Sequence, residues 1–195
     1  MCNLYRLSTP GQAVRSWFRV VGGPDEGWSA DVYPGRLAPV VVADAAGRGL
    51  RLMRWGIPPP AGLAKPVTNV RNLSSPFWRP LLGKDRRCLV PASAFAEWSR
   101  APDPATGRKR RHWVALRSSA LFAFAGLWWP GPDGPRFAFL TCPANAVVAE
   151  VHPQAMPVIL GEGDGEAWLL GAEARAFQRP WPADDMVRLP DGLTR

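Results

Sequence analysis

Histidine, cysteine, lysine and tyrosine are scarce in this sequence, with two His, three Cys, three Lys and two Tyr in 195 residues. Cys2, Cys88 and Cys142 are odd in number and widely separated, and His112 and His152 complete no zinc-ligand spacing with them. A disulfide framework and a metal site are therefore not expected, and no cofactor is implied. The chain also lacks any apolar run near the ~18 residues of a membrane-spanning helix. Its opening, MCNLYRLSTPGQ, has neither the basic stretch nor the apolar run of a signal peptide. These absences predict a soluble, cytoplasmic protein without a membrane partner. Asn72-Leu73-Ser74 matches a glycosylation sequon, which has no secretory context to give it meaning.

Apolar residues make up 47% of the chain, enough for one domain over residues 1–195 with a real core. Nineteen Gly and 22 Pro punctuate it throughout, which disfavours long helices, bundles and coiled coils and favours short strands joined by loops. The formal charge is +8, carried almost wholly by arginine. Guanidinium groups grip phosphate in bidentate fashion, so a polyanionic partner is one reading; a compositional Ala, Arg, Gly and Pro bias is the other. The ten tryptophans do not follow from that bias and serve either as core or as stacking platforms for unpaired bases.

Thr9-Pro10 reads as an N-cap and first helical residue, with Val14, Trp17 and Phe18 on one face of a helix over 10–20. Leu37 to Ala43 and Leu50 to Trp55 flank an Ala-Ala-Gly-Arg-Gly turn and predict a hairpin. Further strands are expected at 87–91, 95–98, 112–116, 121–128, 136–141, 157–160 and 186–189, with short helices near 144–150 and 166–177. The run RAPDPATGRKRR between Ser99 and Arg111 reads as a solvated hairpin loop. Strands outnumber helices and no βαβ alternation is present. The expected class is α+β, mostly antiparallel, with a barrel-like or sandwich core.

Position 2 carries the first chemistry. Loss of Met1 would give Cys2 a free α-amine beside its thiol, with reference pKa values near ~7.7–8.0 and ~8.5, so both nucleophilic forms exist near neutrality. Such a 1,2-aminothiol captures an aldehyde twice, as an imine and then as a thiazolidine ring. On its own, a Met-Cys start is also compatible with a simple buried cysteine. Glu97 sits between Phe95 and Trp98 in an apolar strand, where its carboxyl either takes a raised pKa suited to proton transfer or faces outward. His152, within Val151-His-Pro, is either structural or a proton carrier. Asn69 either caps a turn or orients a neighbour, and Arg71 shares its face if the stretch is extended.

Five segments occur in an order that resembles the SOS-response-associated peptidase, or SRAP, family. They are Met1-Cys2, Arg54 to Pro58, Thr68 to Asn72, Arg87 to Pro91 running into Phe95 to Trp98, and Thr141 to Asn145 leading to His152 and Met156-Pro157-Val158. The resemblance implies a monomer that loses Met1 autocatalytically and bonds through Cys2 to the aldehyde of abasic sites in single-stranded DNA. It implies Cys2 as nucleophile, Asn69 as its orienting partner, Glu97 as general acid/base and His152 as the group that protonates the sugar oxygen during ring opening. For DNA contact it implies Arg71 and Thr141, with Trp55 and Pro39 as apolar surfaces that meet a base or else pack in the core. A peptidase acting on other chains through the same thiol and a noncovalent single-strand binder are the competing functions. Asn3 and Leu4 depart from the family's Gly-Arg, NVRNLS lacks its glutamate, and His152-Pro-Gln-Ala-Met156 lacks the arginine found after the histidine.

Overall fold

The computed structural model describes residues 2–62, 64–161 and 163–190. In chain order the strands are β1 (Tyr5–Arg6), β2 (Val20–Gly22), β3 (Asp31–Val32), β4 (Leu37–Asp44), β5 (Gly47–Trp55), β6 (Asn69–Val70) and β7 (Arg87–Ala92). They continue as β8 (Ala94–Pro102), β9 (Lys109–Leu116), β10 (Phe122–Trp129), β11 (Arg136–Cys142), β12 (Met156–Pro157), β13 (Ile159–Leu160) and β14 (Met186–Leu189). Three short helices, α1 (Gly11–Phe18), α2 (Ala146–Ala149) and α3 (Asp164–Leu169), sit between them.

The strands form two sheets. The smaller runs β14-β9-β8-β1-β3 and is antiparallel throughout. The larger runs β12-β11-β10-β7-β4-β5-β2, with β13 added on β10 and β6 on β11. It curls far enough that β11 also pairs in parallel with β5, Arg136 beside Arg54 and Phe137 beside Trp55. The architecture is α+β and mostly antiparallel, with two layers packed in the manner of a sandwich, as the strand-rich, Pro- and Gly-punctuated sequence predicts.

Aromatic rings fill the space between the layers. Tyr5 of the small sheet meets Trp55, Phe124 and Phe139 of the large one edge-on at centroid distances of 5.3, 5.8 and 6.2 Å. Phe95, directly opposite Tyr5 in the ladder, reaches Phe124 as well. The far face of the small sheet is covered too, by Leu4, Ala94, Ala96, Trp113 and Ala115, with the Arg6 guanidinium 4.3 Å over the Trp113 ring.

Local expectations fare unevenly. The β4–β5 hairpin forms where Leu37 to Trp55 predicts it, its turn closed by Asp44 Oδ1 accepting from the Ala46 amide at 2.9 Å. The expected 157–160 strand is interrupted, because the Val158 amide turns to Leu140 O while its carbonyl accepts from Ala125. The Ser99–Arg111 loop is shorter than expected: β8 and β9 extend to Pro102 and Lys109, and Asp103, paired with Arg110, anchors the turn. Helix α1 starts at Gly11 with Pro10 rather than Thr9 in the cap position. Trp17 is 57% exposed while Val14 and Phe18 are buried, so the apolar face of α1 is narrower than its sequence suggests.

Candidate active site

The N-terminal segment enters the small sheet at β1, where Tyr5 pairs with Phe95 and the Ala96 amide donates to Leu4 O at 2.9 Å. That register lays Cys2 beside the first half of β8, within reach of Ala96. Cys2 is 1% exposed, and its thiol donates weakly to the carbonyls of Leu4 and Ala96 at 3.4 and 3.9 Å. Asn69 of β6 comes from the other sheet, held by parallel pairing with Phe139 of β11. Its amide Nδ2 donates to Cys2 O at 2.9 Å and to Thr68 Oγ1 at 2.8 Å. One side chain thus fixes the backbone of residue 2 across the seam between the two sheets.

Glu97 lies two residues beyond Phe95 on the same strand and therefore on the same, core-facing side. It is 2% exposed, and its buried Oε1 has no hydrogen-bond partner among the described residues. Burial pushes its carboxyl up to about 7. The Cys2 thiol is pushed well above the usual thiol range by burial and, next, by the Glu97 charge. A thiol and a titratable carboxyl therefore share one dry pocket, where the Glu97 charge disfavours ionisation of the thiol.

His152 follows α2, which is capped by Asn145. The Asn145 side chain accepts from the Val148 amide and donates to Trp181 O, and the His152 amide returns to Val148 O at 2.8 Å. His152 is half-buried, and burial lowers its pKa, with the nearby Arg71 charge a smaller contribution in the same direction. Arg71 is exposed. Its carbonyl and that of Thr141 both accept from Nε2 of Gln178, at 2.9 and 3.0 Å, which straps β6 and β11 together behind it.

Three expected contact residues lie inside the protein. Trp55 is fully buried, stacked on Phe139 at 5.1 Å with its indole N–H given to Thr68 O at 3.1 Å, so it packs the core and offers no ring to a base. Pro39 is likewise buried within β4, opposite Leu52, which corrects the expectation of an apolar surface there. Thr141 is 1% exposed, and its hydroxyl, like Asn69 Oδ1 and the Tyr5 phenol, has no partner among the described residues. Cys88 and Cys142 are buried free thiols. No cluster of His, Cys, Asp and Glu suited to a metal ion occurs among the described residues.

Two residues near the site carry no recognisable sequence signal. Gln178 ends a single 3-10 turn, Ala174–Phe177, and only the tertiary fold brings it to Arg71. His112 is the cross-strand partner of Glu97 in the β8–β9 ladder, a register readable from the sequence only once the hairpin turn is placed.

The model of the SOS response associated peptidase (SRAP) family matches residues 1–190. The chain belongs to the SRAP family. Among curated SRAP relatives, the abasic site processing protein YoqW of Bacillus subtilis is 34% identical over 176 residues, covering 81% of this chain and 76% of its own. The abasic site processing protein YobE of the same organism is 31% identical over 175 residues, covering 81% and 78%. A solved structure from Bordetella bronchiseptica superposes with a TM-score of 0.79 at 24% identity, over 97% of this chain and all of that one. One from Bacteroides thetaiotaomicron gives 0.78 at 17% identity, over 97% and 93%. At these identities the two structures speak for the fold alone.

Proposed function

We propose that this protein captures abasic sites in single-stranded DNA by covalent bonding through Cys2 once Met1 has been removed. The curated relatives named abasic site processing proteins support DNA carrying such sites as the substrate. The observation that carries the chemistry is the 2.9 Å bond from Asn69 to Cys2 O in a pocket where Glu97 Oε1 is buried with no hydrogen-bond partner among the described residues. An unpaired buried carboxyl oxygen is costly to keep in a fold. Its retention beside a pinned nucleophile fits a group whose partner arrives with the substrate.

Chemistry starts with the closed sugar. His152, as imidazolium, gives a proton to the ring oxygen as the C1–O bond breaks, while the C1 hydroxyl loses its proton to water, which frees the aldehyde; burial lowers the His152 pKa and so makes the imidazolium a stronger acid. The α-amine of Cys2 attacks the aldehyde carbon, and the resulting carbinolamine loses water to become an imine. Glu97, with a carboxyl near 7, protonates the departing hydroxyl and takes up the amine proton. The thiol then adds across the C=N bond: sulfur bonds to carbon, its proton passes through Glu97 to nitrogen, and a five-membered thiazolidine closes. The balance is one water lost per adduct. Removal of Met1 is a separate hydrolysis of the Met1–Cys2 peptide, for which the same Glu97 is the available base.

The test is intact mass spectrometry of the protein mixed with abasic and undamaged single-stranded oligonucleotides. The expected product is protein without Met1 plus the abasic strand less one water, and no adduct with the undamaged strand. Retention of Met1 on protein that forms the adduct would contradict the reading. Cleavage of unrelated peptides with no DNA adduct would replace it with a peptidase acting on other chains.

A further inference from the structure

Four neighbouring strands of the large sheet line up one row of side chains. Leu37 is the ladder partner of Arg54, Arg54 of Arg136, and Arg136 of Trp129. The next residues along β5 and β11, Trp55 and Phe137, are fully buried, so strand alternation turns Arg54 and Arg136 away from the core. At the end of the row, Trp129 walls a recess of about 500 Å³ with Ile57, Pro58, Phe77 and Leu81, and Arg86 is the one charged residue among the described lining residues. The Arg86 guanidinium lies 4.8 Å over the ring of Trp128. Gly131 sets the Trp129 ring: a Cβ at this position would sit 2.3 Å from it.

Charge and continuity indicate what this surface meets. Among the described residues seven arginines have a carboxylate within ion-pair distance, and Arg54, Arg86 and Arg136 are not among them. Arg54 and Arg136 bond instead to the carbonyls of Gly35 and Gly56 at 2.5 and 3.4 Å, which leaves their charge uncompensated. The recess adjoins the site through a two-bond bridge. The Ile57 amide donates to Val67 O at 3.0 Å and the Val67 amide to Ile57 O at 2.8 Å, and Asn69 is two residues further on.

We propose that this surface holds the strand beside the lesion, with an unpaired base stacked on Trp129 and Phe77 in the recess and the adjoining phosphates on Arg54, Arg136 and Arg86. The proposal rests on the single-stranded DNA reading above and adds a second contact region to it. Flat aromatic walls suit any base through its π-face, while arginines without carboxylate partners suit phosphates.

Binding of an undamaged single strand, followed by fluorescence anisotropy across a salt series, tests it without requiring the covalent step. The double variant Arg54→Gln/Arg136→Gln alters side chains outside the core and should reduce the slope of log K against log salt by about 1.4, at about 0.7 per single-strand phosphate contact. Trp129→Ala should weaken binding about 5- to 150-fold, the range for losing one base stack. A wild-type slope and affinity in the double variant would overturn the proposal. So would tight binding of an acidic, aromatic-ended peptide that Arg86→Gln abolishes while DNA binding stays unchanged. Wild-type reaction with an abasic strand is read in parallel. A missing adduct alongside reduced binding by the variants would defeat the covalent function and leave this surface standing.

Discussion

Asn69 and Cys2 are 67 residues apart in sequence, yet the Asn69 amide holds the Cys2 carbonyl at 2.9 Å and so joins the two sheets at residue 2. Asn69→Ala leaves that buried carbonyl unpaired, at a cost of ~1–3 kcal/mol, and frees residue 2 to move. Adduct formation should fall about tenfold or more while DNA affinity changes little, measured as the time course of a denaturing-gel shift beside anisotropy. An unchanged rate would remove Asn69 from the positioning of the nucleophile.

Glu97→Gln keeps the shape of the side chain and removes its proton chemistry. The rate of adduct formation should drop by ~10²- to 10⁴-fold, the usual range for a lost acid/base group. Crosslinking at the wild-type rate would refute the assignment.

The same variant has a stability signature of definite sign. Burial raises Glu97 from 4.5 to about 7, so the folded state favours the protonated carboxyl. That contribution is complete below the unfolded value and is lost as pH rises through about 7. Relative to Glu97→Gln, the wild type should lose up to about 3 kcal/mol between about pH 4 and about pH 8, read from urea midpoints. A difference that does not vary with pH would mean that the carboxyl is not buried as described.

Both nucleophiles of residue 2 should be required. Cys2→Ser retains the amine and should give only an imine trapped by borohydride. An uncleaved residue placed ahead of Cys2 spares the thiol but should abolish the heat-stable adduct. Cys88→Ser and Cys142→Ser should leave it intact. A heat-stable adduct from the amine-blocked protein would sink the thiazolidine.

Arg71 is exposed and close enough to His152 to affect its charge, so Arg71→Ala should weaken single-strand binding and flatten its salt dependence by about 0.7. Equal slopes for variant and wild type would exclude Arg71 from the footprint.

Long apolar or β-branched runs predict the hairpin of β4 and β5 and the strands β7, β10 and β11, because such side chains pack well on a pleated, buried surface. The two-residue strands β1, β3 and β6 left no such trace. Their pairing comes from partners far along the chain, and no local preference encodes it. Cys2, Asn69 and Glu97 stood out through residue type and motif order, whereas their meeting at one seam depends on the register of β1 against β8 and of β6 against β11. Trp55 shows the reverse case. Its motif left a base-meeting surface and core packing both open, and three aromatic neighbours, Tyr5, Phe137 and Phe139, hold it in the core, so Trp55→Ala should act as a core truncation costing ~3–5 kcal/mol.

The burial of Cys2 also governs how the protein meets small electrophiles. Alkylating agents and peroxide react with thiolate, and a thiol this dry, with its ionisation suppressed, presents almost none. Cys2 should therefore react with iodoacetamide or peroxide more slowly than an exposed cysteine does, for as long as the N-terminal segment stays seated against the small sheet.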